Sequence, residues 1–338
     1  MKKIAILVFF TVGFFVHVWA CTGLIAGKQA TVDGSVLVTY SADSHTLYGA
    51  LTSSPAADWP KGSMRSIVEW DTNKPLGEIE QVEHTYAVIG NMNEHQLTVV
   101  ESTWGGRPEL VDTTGIIDYG SLMQLALERA KTAREAIKVM TGLVKKYGYY
   151  SSGESFTIAD PNEAWILDLI GKGPGRRGAV WVAVRIPDDC IAGHANYPRI
   201  HKIPMDDKEN CLYSPDVISF AREMGYFDGL NKDFSFARAY SPADFGALRA
   251  CDARVWSFFR KYDSSMDNYL PYVNGESAEP FPLYVKPSRK LSVQDMKEAM
   301  RDHFEDTPFD MTQDVGAGPF KVPYRFRPMS FEVDGKSY

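Results

Sequence analysis

The sequence after residue 20 predicts a layered α+β fold. Short apolar runs flank turn signals at Asp33-Gly34, around residues 91–95 and at Asp160-Pro161, which is the pattern of three strand hairpins. Two helical segments lie between the second and the third hairpin, and a further strand follows at 179–187. Hairpins interrupted by a pair of helices favour α+β layering over the regular alternation of strand and helix in parallel sheets.

The two predicted helices follow each other directly. The first covers roughly residues 119–131. The second begins after Thr132, whose hydroxyl can cap the helix while Glu135 reaches back to form a capping box. Apolar residues then recur at helical spacing as far as Tyr147, and Gly148 supplies a stop.

Three later helices are predicted to begin at serines. Ser214 and Ser241 each precede a proline, which suits the first position of a helix, and Ser292 begins the third helix. No repeat, low-complexity tract or Pro/Ser-rich linker in the sequence marks a domain boundary. We therefore expect residues 21–338 to form one domain.

Residues 1–20 have the three parts of a secretory signal peptide. Lys2 and Lys3 form the positive end, residues 4–15 form the apolar core, and residues 18–20 form a cleavage site. The apolar run is shorter than the roughly 20 residues that a membrane-spanning helix needs. We therefore predict that this segment is removed and that the mature protein is secreted or periplasmic.

The charge and composition exclude some classes of partner. The chain has 36 basic and 43 acidic residues, and removal of Lys2 and Lys3 leaves a formal charge of −9. This acidity argues against nucleic acid or anionic lipid as the main partner. Four cysteines are too few for a disulfide scaffold. A Cys190–Cys211 bridge stays open, although buried free thiols are the default expectation.

Several common site signatures are absent from the sequence. It contains neither a G-x-S-x-G nucleophile elbow nor an H-E-x-x-H zinc helix. The seven histidines show no ligand spacing, so His194 and His201 are interpreted as ordinary polar residues. The sequence therefore predicts neither a metal site nor a cofactor.

Cys21 is the first residue of the chain that remains after cleavage behind Ala20. A thiol is only slightly ionised at neutral pH and needs a base to become a nucleophile. An α-amine, with a pKa of about 7.7–8.0, can serve as that base on the same residue. A lipid-attachment site and a buried structural cysteine explain the position of Cys21 equally well, and lipidation would exclude catalysis.

The residues that follow Cys21 favour the nucleophile. The stretch "CTGLIAGKQATVDGS" resembles the opening of mature C69-family dipeptidases, which are N-terminal-nucleophile (Ntn) hydrolases. Further blocks resemble that family in the same order: "GNMNEHQLTVVESTWGGR", "ESFTIADPNEAWILDL", "GHANYPRI", "CLYSPDVISFAREMGYFDG" and "HFEDTPFDMTQDVGAGPF".

The resemblance covers the chain from Cys21 to its C-terminus. It implies a four-layer αββα sandwich of the Ntn-hydrolase type, with the nucleophile at the end of a central strand. Family members are considerably longer, so we expect residues 21–338 to be a peptidase domain that is incomplete at its C-terminus.

The resemblance also assigns roles to four other residues. It implies that Asp43 orients the amine and that Asn196 binds the oxyanion, although either would also suit a turn. Thr103 falls near a second oxyanion position. Arg254 matches a late arginine of the superfamily, with Arg249 as a competing candidate and a surface salt bridge as the alternative role.

One expected residue is missing. Cysteine relatives usually carry an arginine two or three residues before the aspartate, where this chain has Thr39, Tyr40 and Ser41. The group that would lower the pKa of the thiol is therefore absent or comes from elsewhere in the fold.

The expected function is that of a secreted cysteine peptidase that hydrolyses dipeptides. Its partners would be small peptides, and a homo-oligomer is left open. Three alternatives stay open as well. They are an N-acyl amide hydrolase of the penicillin or bile-salt type, a non-catalytic lipoprotein acylated at Cys21, and an inactive fragment.

Overall fold

A computed structural model describes residues 21–43 and 49–323, together with the backbone of 332–333 and 336–337. The predicted signal peptide, residues 1–20, lies outside the described residues. Helices and antiparallel sheets both occur in the described part, which confirms the α+β class.

The strands are mostly short, with long ones near the middle of the chain. In chain order they are β1 (Thr22–Ala26), β2 (Leu37–Ser41), β3 (Ser53–Ser54), β4 (Ala57–Asp58), β5 (Met64–Val68), β6 (Pro75–Glu80), β7 (His84–Thr85), β8 (Val88–Ile89), β9 (Met92–Asn93), β10 (Thr98–Gly105), β11 (Gly153–Ala159), β12 (Ala164–Gly171), β13 (Ala179–Ile186), β14 (Ile191–His194), β15 (Cys211–Tyr213), β16 (Tyr284–Val285), β17 (Glu332–Val333) and β18 (Lys336–Ser337).

The helices are concentrated in two parts of the chain. In chain order they are α1 (Tyr119–Arg129), α2 (Ala133–Tyr147), α3 (Val217–Glu223), α4 (Phe236–Tyr240), α5 (Ala253–Arg260), α6 (Leu270–Val273) and α7 (Val293–Ala299). A π-helical stretch, Ala247–Asp252, leads directly into α5. Short 3₁₀ helices cover Pro108–Leu110, Asn231–Asp233, Ser264–Tyr269 and Val315–Ala317.

Two sheets form the centre of the described structure. The four-stranded sheet has the order β16-β14-β1-β2, and the eight-stranded sheet has the order β15-β13-β12-β11-β10-β9-β8-β3. Strand β1 therefore has a neighbour on each side: Gly23 lies opposite His194 of β14 and opposite Tyr40 of β2.

Three apolar clusters pack against these sheets. The first joins α1 and α2 to the eight-stranded sheet, and the third joins α5 and α7 to the four-stranded sheet. The second cluster contains residues of both sheets. Leu24 belongs to the third cluster and Ile25 to the second. Because side chains alternate along a strand, Gly23 faces the eight-stranded sheet as Ile25 does.

The predicted helix pair is confirmed. Thr132 Oγ1 accepts a hydrogen bond from the Glu135 N–H at 3.2 Å. The Glu135 carboxylate accepts from the backbone N–H of Lys131 at 2.8 Å instead of from Thr132, so the capping box is displaced by one residue. Gly148 ends α2 with a φ of 80°, a conformation that glycine adopts without strain.

Of the helices predicted to begin at serines, only the one at Ser292 begins as predicted. Ser292 caps α7 through a complete capping box with Asp295, as predicted. Helix α3 begins at Val217, three residues after Ser214.

The prediction at Ser241 is wrong. The backbone N–H of Ser241 donates to the Ala237 carbonyl at 2.8 Å and so ends α4. Asp244 supplies the cap of the following segment, because its Oδ1 accepts from the Ala247 N–H at 2.7 Å. The carboxylate of Asp244, three residues further along the chain, therefore caps that segment in place of Ser241.

The four cysteines carry free thiols. The default expectation of buried free thiols is therefore confirmed for Cys190 and Cys211, whereas the free thiol of Cys251 belongs to a partly exposed residue. Within residues 21–43 and 49–323, no helix is long and apolar enough to span a bilayer.

Candidate active site

Cys21 immediately precedes β1 and is 3% exposed. Burial and the charge of Glu101 raise the pKa of its thiol to about 12, while a hydrogen bond from the backbone N–H of Asp43 acts in the opposite direction. The Asp43 side chain is exposed, so this aspartate reaches the thiol through its backbone. A thiol in this environment keeps its proton at neutral pH and needs a base within reach.

Arg254 reaches from α5 to the start of β1. Its Nη1 donates to the Cys21 carbonyl and to Thr22 Oγ1, each at 2.7 Å. Its Nη2 donates to Asn196 Oδ1 at 2.9 Å. One guanidinium group therefore connects the backbone of the candidate nucleophile with the candidate oxyanion residue.

Asn196 lies two residues beyond the end of β14. Its φ of 55° is in the left-handed region, which asparagine tolerates better than most residues. Its Nδ2 donates to the Thr103 carbonyl at 2.5 Å. The side chain is thus held at both ends, and the amide nitrogen has a second N–H that could stabilise negative charge on a substrate oxygen.

Two of the sequence candidates have other contacts. The Thr103 hydroxyl donates to Glu154 Oε1 at 2.7 Å, so the threonine contributes its carbonyl to Asn196 and its hydroxyl to a carboxyl group. Arg249 lies over the ring of Phe309 at 3.6 Å, whereas Arg254 contacts Cys21.

The position of the missing arginine is filled by a tyrosine with a different partner. Tyr40 Oη donates to Glu101 Oε1 at 2.5 Å. The guanidinium that contacts Cys21 comes instead from Arg254, 233 residues away along the chain. This guanidinium binds the carbonyl oxygen of Cys21 and is not among the groups that shift the pKa of the thiol, so the expected group that lowers that pKa stays a prediction.

A buried pair of glutamates lies beside the site. Glu101 and Glu154 are 2% and 0% exposed, and each has one buried carboxyl oxygen, Oε2, without a hydrogen-bond partner. Two buried carboxyl groups that interact in this way repel each other when both are ionised, and one proton shared by the pair removes that repulsion. Burial raises the pKa of both groups, and that of Glu154 lies well above its usual range.

Glu101 and Glu154 were not among the residues predicted from the sequence. The available signal was that each glutamate stands in a strand whose neighbouring residues are mainly apolar, in "TVVEST" and "GESFTIA". A charged residue at such a position is rare unless it has a partner.

His194 was interpreted as an ordinary polar residue, but it lies between the two sheets. Its Nδ1 is 2.6 Å from Ser102 Oγ, and its Nε2 is 2.8 Å from Thr157 Oγ1. Burial, with the charges of Arg199 and Arg254, lowers the pKa of His194 to about 3. The ring is therefore neutral, and it donates one hydrogen bond and accepts the other.

Among the described residues, no group of three or more His, Cys, Asp or Glu side chains could hold a metal ion.

Comparison with known proteins identifies the family of the chain. The model of peptidase family C69 matches residues 20–338. A probable dipeptidase of Salmonella dublin is 28% identical over 318 residues, which covers 86% of this chain and 68% of the relative. A probable dipeptidase of Latilactobacillus sakei is 25% identical over 312 residues, covering 86% of this chain and 62% of the relative.

Dipeptidase A of Lactobacillus helveticus is 25% identical over 327 residues, which covers 90% of this chain and 66% of the relative. The chain thus spans about two thirds of the length of the curated relatives that it matches. Because the family model matches almost the whole sequence, the chain belongs to peptidase family C69.

Proposed function

We propose that this protein is an exported dipeptidase whose nucleophile is Cys21. Removal of residues 1–20 would convert the peptide nitrogen of Cys21 into a free α-amine. That amine takes the thiol proton while Sγ attacks the scissile carbonyl carbon. Asn196 Nδ2 stabilises the resulting oxyanion.

The tetrahedral intermediate then breaks its carbon–nitrogen bond. The protonated α-amine returns the proton to the leaving amine, and a thioester with Cys21 remains. Water, deprotonated by the same amine, attacks the thioester and releases the acid product and the free thiol. No redox partner enters this sequence.

One observation carries the proposal: Arg254 joins the Cys21 carbonyl to Asn196 Oδ1. This contact brings the nucleophile and the oxyanion donor to one end of β1. Membership of a peptidase family and the dipeptidase names of the relatives support peptides as the substrate class.

The fold proposal is an Ntn-type sandwich. The three apolar clusters support the order helices, eight-stranded sheet, four-stranded sheet, helices. In that arrangement Cys21 lies where β1 begins, with the two sheets on either side of the reacting thiol.

The first experiment determines the N-terminal sequence and intact mass of the exported protein. We expect an unmodified Cys21 at the N-terminus. A diacylglycerol-modified Cys21, or cleavage at another bond, would leave no free α-amine beside the thiol and would overturn the mechanism.

The second experiment compares dipeptides with N-acyl amides of the penicillin and bile-salt types as substrates of the mature protein. We expect dipeptide hydrolysis that is lost in Cys21→Ser and lowered about 10²- to 10³-fold in kcat by Asn196→Ala. Faster cleavage of N-acyl amides would replace the dipeptidase assignment while keeping the nucleophile. Dipeptide hydrolysis that survives Cys21→Ser would remove the nucleophile.

A further inference from the structure

The buried His194 connects three strands around the candidate nucleophile. It lies on β14, and its two ring nitrogens bond to Ser102 of β10 and Thr157 of β11. These contacts join the four-stranded sheet to the eight-stranded sheet through a single side chain, which is 0% exposed.

The third contact is with the strand of Cys21. Gly23 lies opposite His194 in the ladder between β1 and β14. A Cβ atom added to Gly23 would lie 2.8 Å from His194 Nε2 and 2.9 Å from Cε1, closer than side-chain carbons pack. The imidazole ring therefore lies directly against the backbone of β1 and fixes how closely this strand approaches the other sheet.

The position of His194 along the chain gives these contacts a functional meaning. It lies two residues before Asn196, and its partner Gly23 lies two residues after Cys21. Any shift of the ring moves the nucleophile and the oxyanion donor relative to β10, which holds Asn196 through the Thr103 carbonyl.

We propose that His194 is a positioning residue, which holds Cys21 and Asn196 at the mutual distance that peptide-bond cleavage requires. The inference rests on the proposed function, since it explains how the geometry of that site is maintained. His194 itself exchanges no proton in the reaction, because both of its nitrogens already have hydroxyl partners and its ring stays neutral.

The experiment measures kcat and KM for a dipeptide with the mature protein and its variants. His194→Ala removes both hydrogen bonds and leaves a cavity against Gly23. We expect kcat to fall about 10²-fold, as displacements of about 1 Å do elsewhere, with little change in KM. His194→Gln keeps an amide donor and acceptor, so we expect it to recover part of kcat.

His201 provides a matched control. Burial, with the charges of Arg199 and Arg238, also lowers the pKa of His201 to about 3, and its Nδ1 is 3.1 Å from Ser235 Oγ. Ser235 caps α4 and is not part of the contacts around Cys21. We expect His201→Gln to reduce stability but to leave kcat of the folded protein near the wild-type value.

A double-mutant cycle separates positioning from a general loss of packing. Gly23→Ala should lower kcat strongly in the wild type, because the new methyl group meets the imidazole ring. In the His194→Ala background the ring is absent, so the same substitution should cost much less. Urea unfolding of each variant fixes the folded fraction used to calculate kcat.

Each result distinguishes the inference from the proposed function. Wild-type kcat in folded His194→Ala, or equal and additive losses in the cycle, would overturn the positioning role while the dipeptidase assignment stands. A wild-type protein without dipeptidase activity, or with activity that survives Cys21→Ser, would overturn the proposed function and the inference with it.

Discussion

Two buried polar clusters of this protein are neutralised in different ways. The nucleophile cluster consists of Tyr40, Glu101 and Glu154. The ion-pair cluster consists of Arg199, Asp252 and Tyr272. Tyr40 is half-buried and the other members of both clusters are almost inaccessible to solvent, yet only the second cluster contains opposite charges.

In the ion-pair cluster every charge has a partner. Arg199 Nη1 lies 3.2 Å from both oxygens of Asp252, and Tyr272 Oη donates to Asp252 Oδ2 at 2.9 Å. The guanidinium also lies over the ring of Phe281 at 3.9 Å and donates to the Pro282 carbonyl. This arrangement pairs the two buried charges, leaves only Nε of the guanidinium without a hydrogen-bond partner, and suits a purely structural role.

In the nucleophile cluster two like groups face each other. Only a shared proton makes the contact between Glu101 and Glu154 favourable, and the hydroxyls of Tyr40 and Thr103 are its neutral partners. The pair keeps a negative charge that acts on the Cys21 thiol. Uncompensated charge thus lies beside the candidate nucleophile, whereas the paired charges lie in a cluster to which we assign no catalytic role.

The largest expected effect comes from a substitution that breaks the ion-pair cluster. Arg199→Met leaves Asp252 buried without its counter-ion and should lower the free energy of unfolding by about 3–5 kcal/mol. Urea unfolding measures this loss, and kcat of the folded fraction should stay close to that of the wild type.

Arg260→Met is the control for that substitution. Arg260 forms an ion pair with Asp267 at the surface. Loss of this pair should lower the free energy of unfolding by no more than about 1 kcal/mol. Equal losses for the two variants, or a lower kcat in folded Arg199→Met, would remove the distinction between scaffold and site.

The next largest effect compares one hydroxyl from each cluster. Tyr272→Phe removes a hydrogen bond to a charged, buried Asp252 and should cost about 1.5–3 kcal/mol in unfolding free energy. Tyr40→Phe removes the bond to Glu101 and should cost less, since the shared proton can neutralise that carboxyl.

These two variants should also differ in activity. Tyr272→Phe is expected to keep the wild-type kcat, whereas Tyr40→Phe should lower it because Tyr40 borders the site of Cys21. The reverse order of activities would show that the ion-pair cluster, not the nucleophile cluster, supports catalysis.

A smaller effect depends on pH. Because the pKa of Glu154 is raised in the folded state, this residue contributes to the free energy of unfolding. The contribution is fully present below the unfolded-state pKa of about 4.3 and is lost as the pH rises toward the folded-state pKa. Gln mimics the protonated carboxyl and does not ionise. The unfolding free energy of Glu154→Gln, relative to that of the wild type, should therefore rise by about 1–2 kcal/mol from pH 5 to pH 7.

Urea unfolding at several pH values measures this gain. The control is Glu109→Gln, whose exposed carboxylate accepts a hydrogen bond from Tyr226 and should show no such gain. A difference between Glu154→Gln and the wild type that does not change with pH would mean that Glu154 is ionised in the folded protein.

The smallest effect concerns the thiol itself. The negative charge of Glu101 raises the pKa of Cys21, so Glu101→Gln should move the alkylation of Cys21 by iodoacetamide to lower pH. The rate is measured against pH by the mass of the N-terminal peptide. Tyr272→Phe should leave the profile unchanged, and an unchanged profile in Glu101→Gln would exclude electrostatic coupling.

Features that depend on nearby residues could be predicted from the sequence. Thr132 and Ser292 cap helices through bonds to residues three positions away, and Gly148 ends a helix by its own conformational freedom. Ser241 shows the limit even here, since a nearby carboxylate took over the cap.

The assembly of the candidate site depends on contacts between residues that are far apart in the sequence. Arg254 meets the Cys21 carbonyl across 233 residues, and Ser102 meets His194 across 92. Contacts over such distances depend on strand register and on the packing of α5 against the four-stranded sheet, which no local pattern encodes. The sequence thus indicated the candidate nucleophile, while the packing of the two sheets determined which residues surround it.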